Sequence, residues 1–250
     1  MASHLSIGDT VYVPCSAFDE LADRDTALYK VEVVAVERRS VRVKLPDGTH
    51  SQLIGSSRIH RDVGIVVISV GDFATEASLL DPLAKTVLQF LRLLVPDDQV
   101  RAVKVRGSDE LSKFWAANHG AYSHVVLIGH GDKDLLGFAV DGDVHAPDVL
   151  HAFETPDCAQ KTFLSLACKT GYATFGGRFS KSHICREFIA PFHSVHGAVA
   201  SQFCQTFFTF HFLEGKGAKV AFNHARLGVP GGVSFRLWSN GRMQLEPPDG

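Results

Sequence analysis

The chain has 250 residues, which corresponds to about 1.7 typical domains and is enough to bury a sizeable core. At 45% hydrophobic and 21% charged residues its composition is globular, which excludes disorder for most of its length. Lys and Arg number 25 against 27 Asp and Glu, and the formal net charge of −2 disfavours a general nucleic-acid or anionic-membrane binder.

The five cysteines, Cys15, Cys158, Cys168, Cys185 and Cys204, are an odd number in a chain too long to need disulfide stapling. A reducing compartment is expected. The opening MASHLSIGDT has no apolar core of signal-peptide length. The longest near-apolar stretch, residues 64–70, falls far below the roughly 20 residues of a membrane span. These features predict a soluble cytoplasmic protein.

Residues 10–14, 29–37, 40–45 and 49–54 are predicted as short strands. In the second, Val31, Val33 and Ala35 alternate with Glu32, Val34 and Val36; in the third, Val41, Val43 and Leu45 oppose Arg42 and Lys44. Pro46-Asp47-Gly48 supplies a turn. With no helical pattern, residues 1–62 are expected to form a small SH3-like β-barrel, a bracing or interaction module. Arg38, Arg39, Arg42 and Lys44 read as its solvated face.

From Val63 the pattern changes. Residues 64–70 (GIVVISV) form a continuous apolar run, as a strand buried on both faces requires. Asp81-Pro82 opens a helix with Leu83, Val87, Leu88, Leu91 and Leu94 at helical spacing. A strand is predicted at 100–105, then a helix capped by Ser108 and ending near Gly120. Strands at 125–128 and 162–167 flank a short helix at 146–153. A helix at 181–189 stopped by Pro191, a fifth strand at 197–201 and helices at 206–213 and 216–226 follow. A hairpin of 234–238 and 242–245 around Asn240-Gly241 comes next, and 247–250 is expected to be a loose tail. Alternating strands and helices predict an α/β layer with a mostly parallel sheet flanked by helices over residues 63–250. The phenylalanines between Phe203 and Phe212 read as helix core.

Ligands of open α/β sheets bind beyond the carboxyl ends of the strands. One predicted strand ends in Ile128-Gly129-His130-Gly131-Asp132, the next in Ala167-Cys168-Lys169-Thr170-Gly171. A histidine and a cysteine thus leave neighbouring elements at one edge, with glycines that allow sharp turns and close substrate approach. Such a pair suits acyl transfer: a thiolate attacks a carbonyl, the imidazole handles protons, and backbone N–H groups hold the oxyanion. Gly129-x-Gly131 lacks the third glycine of a dinucleotide fingerprint, and neither a phosphate loop nor a His-Glu-x-x-His helix occurs. His183, Cys185, His193, His196, Cys204 and His211 lack the tight pairing of a structural zinc site, so no metal is expected.

HVVLIGHGD (124–132), TFLSLACKTG (162–171) and GAVASQF (197–203), followed by FNHARLG (222–228), together resemble the caspase-fold cysteine peptidases, in particular the bacterial caspase-like and CHAT-type branch of clan CD. The resemblance covers residues 63–250. It implies Cys168 as nucleophile, His130 as general acid/base, and the N–H groups of Gly131 and Cys168 as oxyanion hole. It also implies a peptide lying at the sheet edge, with Asp72, Leu166 and Gln202 as substrate-binding candidates. Leu166 stands where animal caspases carry Gln and metacaspases Asp. No basic residue follows the first strand in Gly71-Asp72-Phe73, so Asp72 is read either as an acidic pocket for Arg or Lys or as an exposed loop residue. No third catalytic member is legible.

The expected function is a cysteine endopeptidase without a cofactor, acting on protein or peptide substrates, with activation by a protein partner, a ligand or self-cleavage. Bacterial defence fits by analogy. A non-catalytic scaffold and a Cys–His amidase acting on small molecules are the alternatives.

Overall fold

A computed structural model of the chain describes residues 5–21, 24 and 26–244; the tail expected at 247–250 lies outside them. β1 (Thr10–Pro14), β2 (Leu28–Glu37), β3 (Ser40–Lys44) and β4 (Ile54–Gly55) form an antiparallel sheet in the order β1-β2-β3-β4. The alternating Val31 and Val33 of β2 and Val41 and Val43 of β3 face a core of their own with Val11, Val13, Leu21 and Ile54. The register slips between Val33 and Ala35, a bulge that ends the strict alternation. The strand predicted at 49–54 shrinks to a bridge at His50 and the two residues of β4. Asp47 takes hydrogen bonds from Thr49, and Ser51 Oγ accepts from Val43 N–H at 3.0 Å, so side chains replace ladder bonds there. A bridge between Tyr12 and His60 returns the chain to β1.

The rest is a seven-stranded sheet with helices on both faces. Its strands are β5 (Ile65–Val70), β6 (Val100–Val105), β7 (His124–Ile128), β11 (Lys161–Ser165), β12 (Cys185–Pro191), β13 (Phe235–Ser239) and β14 (Arg242–Met243). A separate three-stranded sheet, β8 (His130–Asp132), β9 (Leu135–Phe138) and β10 (Gly142–His145), rises from the end of β7. The large sheet runs β14-β13-β12-β11-β7-β5-β6, parallel from β6 to β12 and antiparallel over β13 and β14. Every residue of β5, β7 and β11 is buried, the pattern of strands covered on both sides. α1 (Asp81–Leu91), α4 (Gly197–Phe208) and α5 (Ala218–Gly228) cover one face and α2 (Ser108–Asn118) and α3 (Ala146–Phe153) the other. The predicted mostly parallel sheet flanked by helices is present.

Two elements exchange identity with the prediction. The helix expected at 181–189 is absent; its residues 185–189 belong to β12, because Phe188, Ile189 and Ala190 are buried between β11 and β13. Residues 197–201, expected to be a strand, open α4, where the His196 ring accepts the Ala198 N–H at 3.2 Å. The cap of α2 comes from across the structure: Asp141 Oδ2 accepts Ser108 N–H at 2.6 Å and its hydroxyl at 2.7 Å. The C-terminal hairpin matches its turn residues, with Asn240 at φ 51° and Gly241 at φ 72°. Among the described residues, no helix is long and apolar enough to cross a membrane.

Candidate active site

The five parallel strands lie in the order second, first, third, fourth, fifth, so the winding direction reverses between β5 and β7. A crevice forms at the carboxyl ends of strands at such a reversal. Asp72 follows β5, His130 follows β7 and Cys168 follows β11, so all three stand along this one edge.

The Cys168 loop is tied down by buried hydroxyls. Thr170 Oγ1 donates to the Ala167 carbonyl at 2.8 Å, Ser165 Oγ donates to Thr170 Oγ1 at 2.8 Å, and Ser165 Oγ accepts the Ala167 N–H at 3.3 Å. Gly171 sits against β12: an added Cβ would lie 2.6 Å from the Ala190 carbonyl oxygen. Its own carbonyl accepts the Trp238 indole N–H at 2.8 Å. Between these anchors Lys169 adopts φ 59°, a left-handed conformation uncommon outside glycine, and its ammonium pairs with Asp132 at 3.2 Å.

Gly131 joins the two loops. An added Cβ would approach the Cys168 carbonyl oxygen to 2.9 Å and Thr170 Cγ2 to 2.8 Å, so only glycine lets the His130 loop pack this closely on the cysteine loop. Cys168 Sγ donates to the Val195 carbonyl at 3.8 Å rather than to His130. Among the described residues, no acceptor meets the Cys168 N–H.

His130 finds partners from a segment with no periodic signal. After β5 the chain makes a turn and then a π-helical turn, Glu76–Leu80, closed by Leu80 N–H on the Thr75 carbonyl at 3.3 Å. Glu76 is held by Lys104 and Arg106. This geometry places Thr75 Oγ1 2.6 Å from His130 Nε2, while the same hydroxyl donates to Asp72 Oδ2 at 2.7 Å. Asp72 Oδ1 accepts the Ala74 N–H at 3.2 Å, and Asp72 Oδ2 lies 3.6 Å from His130 Nε2. The Thr75 hydroxyl above all, with the Ala74 N–H, holds the Asp72 carboxyl below the usual carboxylate range. Asp72 is therefore engaged by its own loop and turned towards the histidine.

The remaining candidates separate. Leu166 is 4% exposed and packs in the core with Leu164 and Val126, so its side chain faces inward rather than a substrate. Gln202 is exposed on α4 and lines an apolar groove of about 500 Å³ with Leu79, Pro82, His196 and Ser201. All five cysteines are free thiols. Cys168 is half-buried and the other four are buried, and burial pushes the thiols of Cys15, Cys158, Cys185 and Cys204 up. Among the described residues, no group of three His, Cys, Asp or Glu is placed to hold a metal ion.

No family model and no curated protein matches the chain. Among solved structures it is similar to a secreted C11 cysteine protease from Bacteroides thetaiotaomicron in complex with an irreversible peptide inhibitor. The likeness has a TM-score of 0.44 and 11% identity, and covers 70% of this chain. This chain spans 66% of that protein's length.

Proposed function

We propose that the chain is a caspase-like cysteine endopeptidase of the bacterial branch, with Cys168 and His130 as its dyad. In this proposal residues 63–250 form the peptidase layer, and residues 1–62 an SH3-like module that braces it or recruits a partner. One observation carries the proposal: the two residues leave the carboxyl ends of adjacent parallel strands beside the winding reversal, with Gly131 packed on the Cys168 carbonyl.

The chemistry follows from these groups. The thiol proton passes to His130 and the thiolate attacks a peptide carbonyl, forming a thioester as the amine departs with that proton. The Cys168 N–H, with that of Gly131, stabilises the oxyanion. Water then releases the acid, and no cofactor enters. In the resting arrangement the thiol is turned to Val195, which fits an enzyme switched on by a protein partner, a ligand or self-cleavage.

Incubation with a diverse peptide library, read by mass spectrometry, tests the substrate class. Internal cuts at a recurring position are the expected result. Turnover confined to small amides, with every peptide intact, would replace the endopeptidase by an amidase.

A further inference from the structure

The hydrogen-bond chain beyond the dyad has a direction, and the direction assigns a tautomer. An ionised carboxylate carries no proton and only accepts. Asp72 Oδ2 therefore takes the single hydroxyl proton of Thr75 at 2.7 Å. Thr75 Oγ1 is left with lone pairs alone, so across the 2.6 Å contact His130 Nε2 is the donor. Neutral imidazole has one N–H; with it on Nε2, Nδ1 carries the free lone pair.

We propose that Thr75 and Asp72 are positioning residues that fix His130 with Nε2 protonated and Nδ1 bare, the nitrogen that takes the Cys168 proton. The proposal rests on the dyad reading above and adds to it two residues that touch neither substrate nor sulfur. In the step they support, the S–H bond of Cys168 breaks as an Nδ1–H bond forms, giving thiolate and imidazolium. The Asp72 carboxylate, 3.6 Å from Nε2, stabilises the cation. The same proton later leaves Nδ1 for the departing amine, so His130 ends neutral. A loop staple would account for the Thr75–Asp72 bond alone; it would not place the hydroxyl on the histidine.

The test uses the full chain with Thr75→Val, Thr75→Ser and Asp72→Asn. The readout is the rate of Cys168 alkylation by iodoacetamide against pH, which needs no peptide cleavage. Thr75→Val keeps the side-chain shape and removes the hydroxyl. It is expected to slow alkylation at neutral pH about tenfold and to move its midpoint up by about one pH unit. Thr75→Ser restores most of the rate, and Asp72→Asn moves the midpoint in the same direction as Thr75→Val. On any peptide substrate Thr75→Val lowers kcat while KM stays within about twofold. An unmoved alkylation profile in both Thr75→Val and Asp72→Asn overturns the proposal, as does Thr75→Ser behaving like Thr75→Val. Reactive Cys168 with these shifts, but no cleavage of any peptide, would retain the positioning pair and reject the endopeptidase.

Discussion

Replacing Cys168 by alanine is expected to lower peptide cleavage about 10⁴-fold or more while the protein stays folded. The loss is this large because no other thiol can stand in. Cys15, Cys158, Cys185 and Cys204 are buried, and burial disfavours their thiolates. The fold should survive because the loop does not depend on sulfur. Ser165 and Thr170 clamp it by hydroxyl bonds, Gly171 seats it on β12, and the Sγ contact to Val195 is a weak 3.8 Å donation. The thermal midpoint should therefore shift by no more than a few degrees. Cleavage within tenfold of the parent in this variant would assign the nucleophile elsewhere.

Acid is expected to destabilise the protein well above the pH at which most carboxylates titrate. His60, His124 and His211 meet in the interior between the amino-terminal sheet and the helical face of the large sheet. His124 Nε2 lies 3.1 Å from His211 Nε2, and the His60 and His211 rings cross edge to face at 4.8 Å. His124 Nδ1 is 2.8 Å from Ser123 Oγ, and His211 Nδ1 donates to the Lys216 carbonyl at 2.7 Å. Phe208 and Phe212 wall off His124 from water. Burial disfavours the charged form of all three; each neighbouring histidine, Arg186 and Lys161 act in the same direction on His124, and His211 is pushed down to about 4.

A histidine whose folded pKa lies below its unfolded value of about 6.5 binds its proton first in the unfolded chain. Its stabilising effect is complete above pH 6.5 and is lost as pH falls towards the folded value. For His211 alone the loss amounts to about 3 kcal/mol by pH 4. Glu187, raised by burial and accepting from Thr162 at 2.7 Å, works the other way and offsets part of it. The urea midpoint is therefore expected to drop between pH 7.5 and pH 5, and His211→Phe should flatten that dependence. An unchanged midpoint over this interval would contradict a buried neutral cluster.

The parts of the fold that were legible in the sequence share one property: their signal is local. β5 is an unbroken apolar run, α1 repeats its leucines at helical spacing behind Asp81-Pro82, and α3 matches residues 146–153. β12 was hidden because its first half carries Arg186 and Glu187, and only pairing with β11 and β13 makes Phe188–Pro191 a strand. α4 begins with Gly, Ala, Val and Ala, a run with no helical period, and the His196 cap decides it. The small sheet β8–β10 carrying His130 is built from short glycine-bearing segments with too few residues for any period.

The proposed site was legible as far as strand endings reach. His130, Gly131 and Cys168 follow from position after an apolar run. Thr75 left no trace, because a π-helical turn and a side-chain contact across the crevice bring it to His130. Asp72 was visible as a residue, but its direction was not; the Thr75 and Ala74 bonds hold it beside the histidine. Of the 13 histidines, His60, His124 and His211 owe their state to burial, which no local pattern encodes.

The most direct measurement treats the intact protein with a peptide carrying a thiol-reactive warhead and locates the adduct by mass spectrometry. A single adduct on Cys168, lost in His130→Ala and absent from Cys15, Cys158, Cys185 and Cys204, is the predicted result. Labelling spread over other thiols, or labelling of Cys168 that is indifferent to His130, would contradict a Cys168–His130 peptidase.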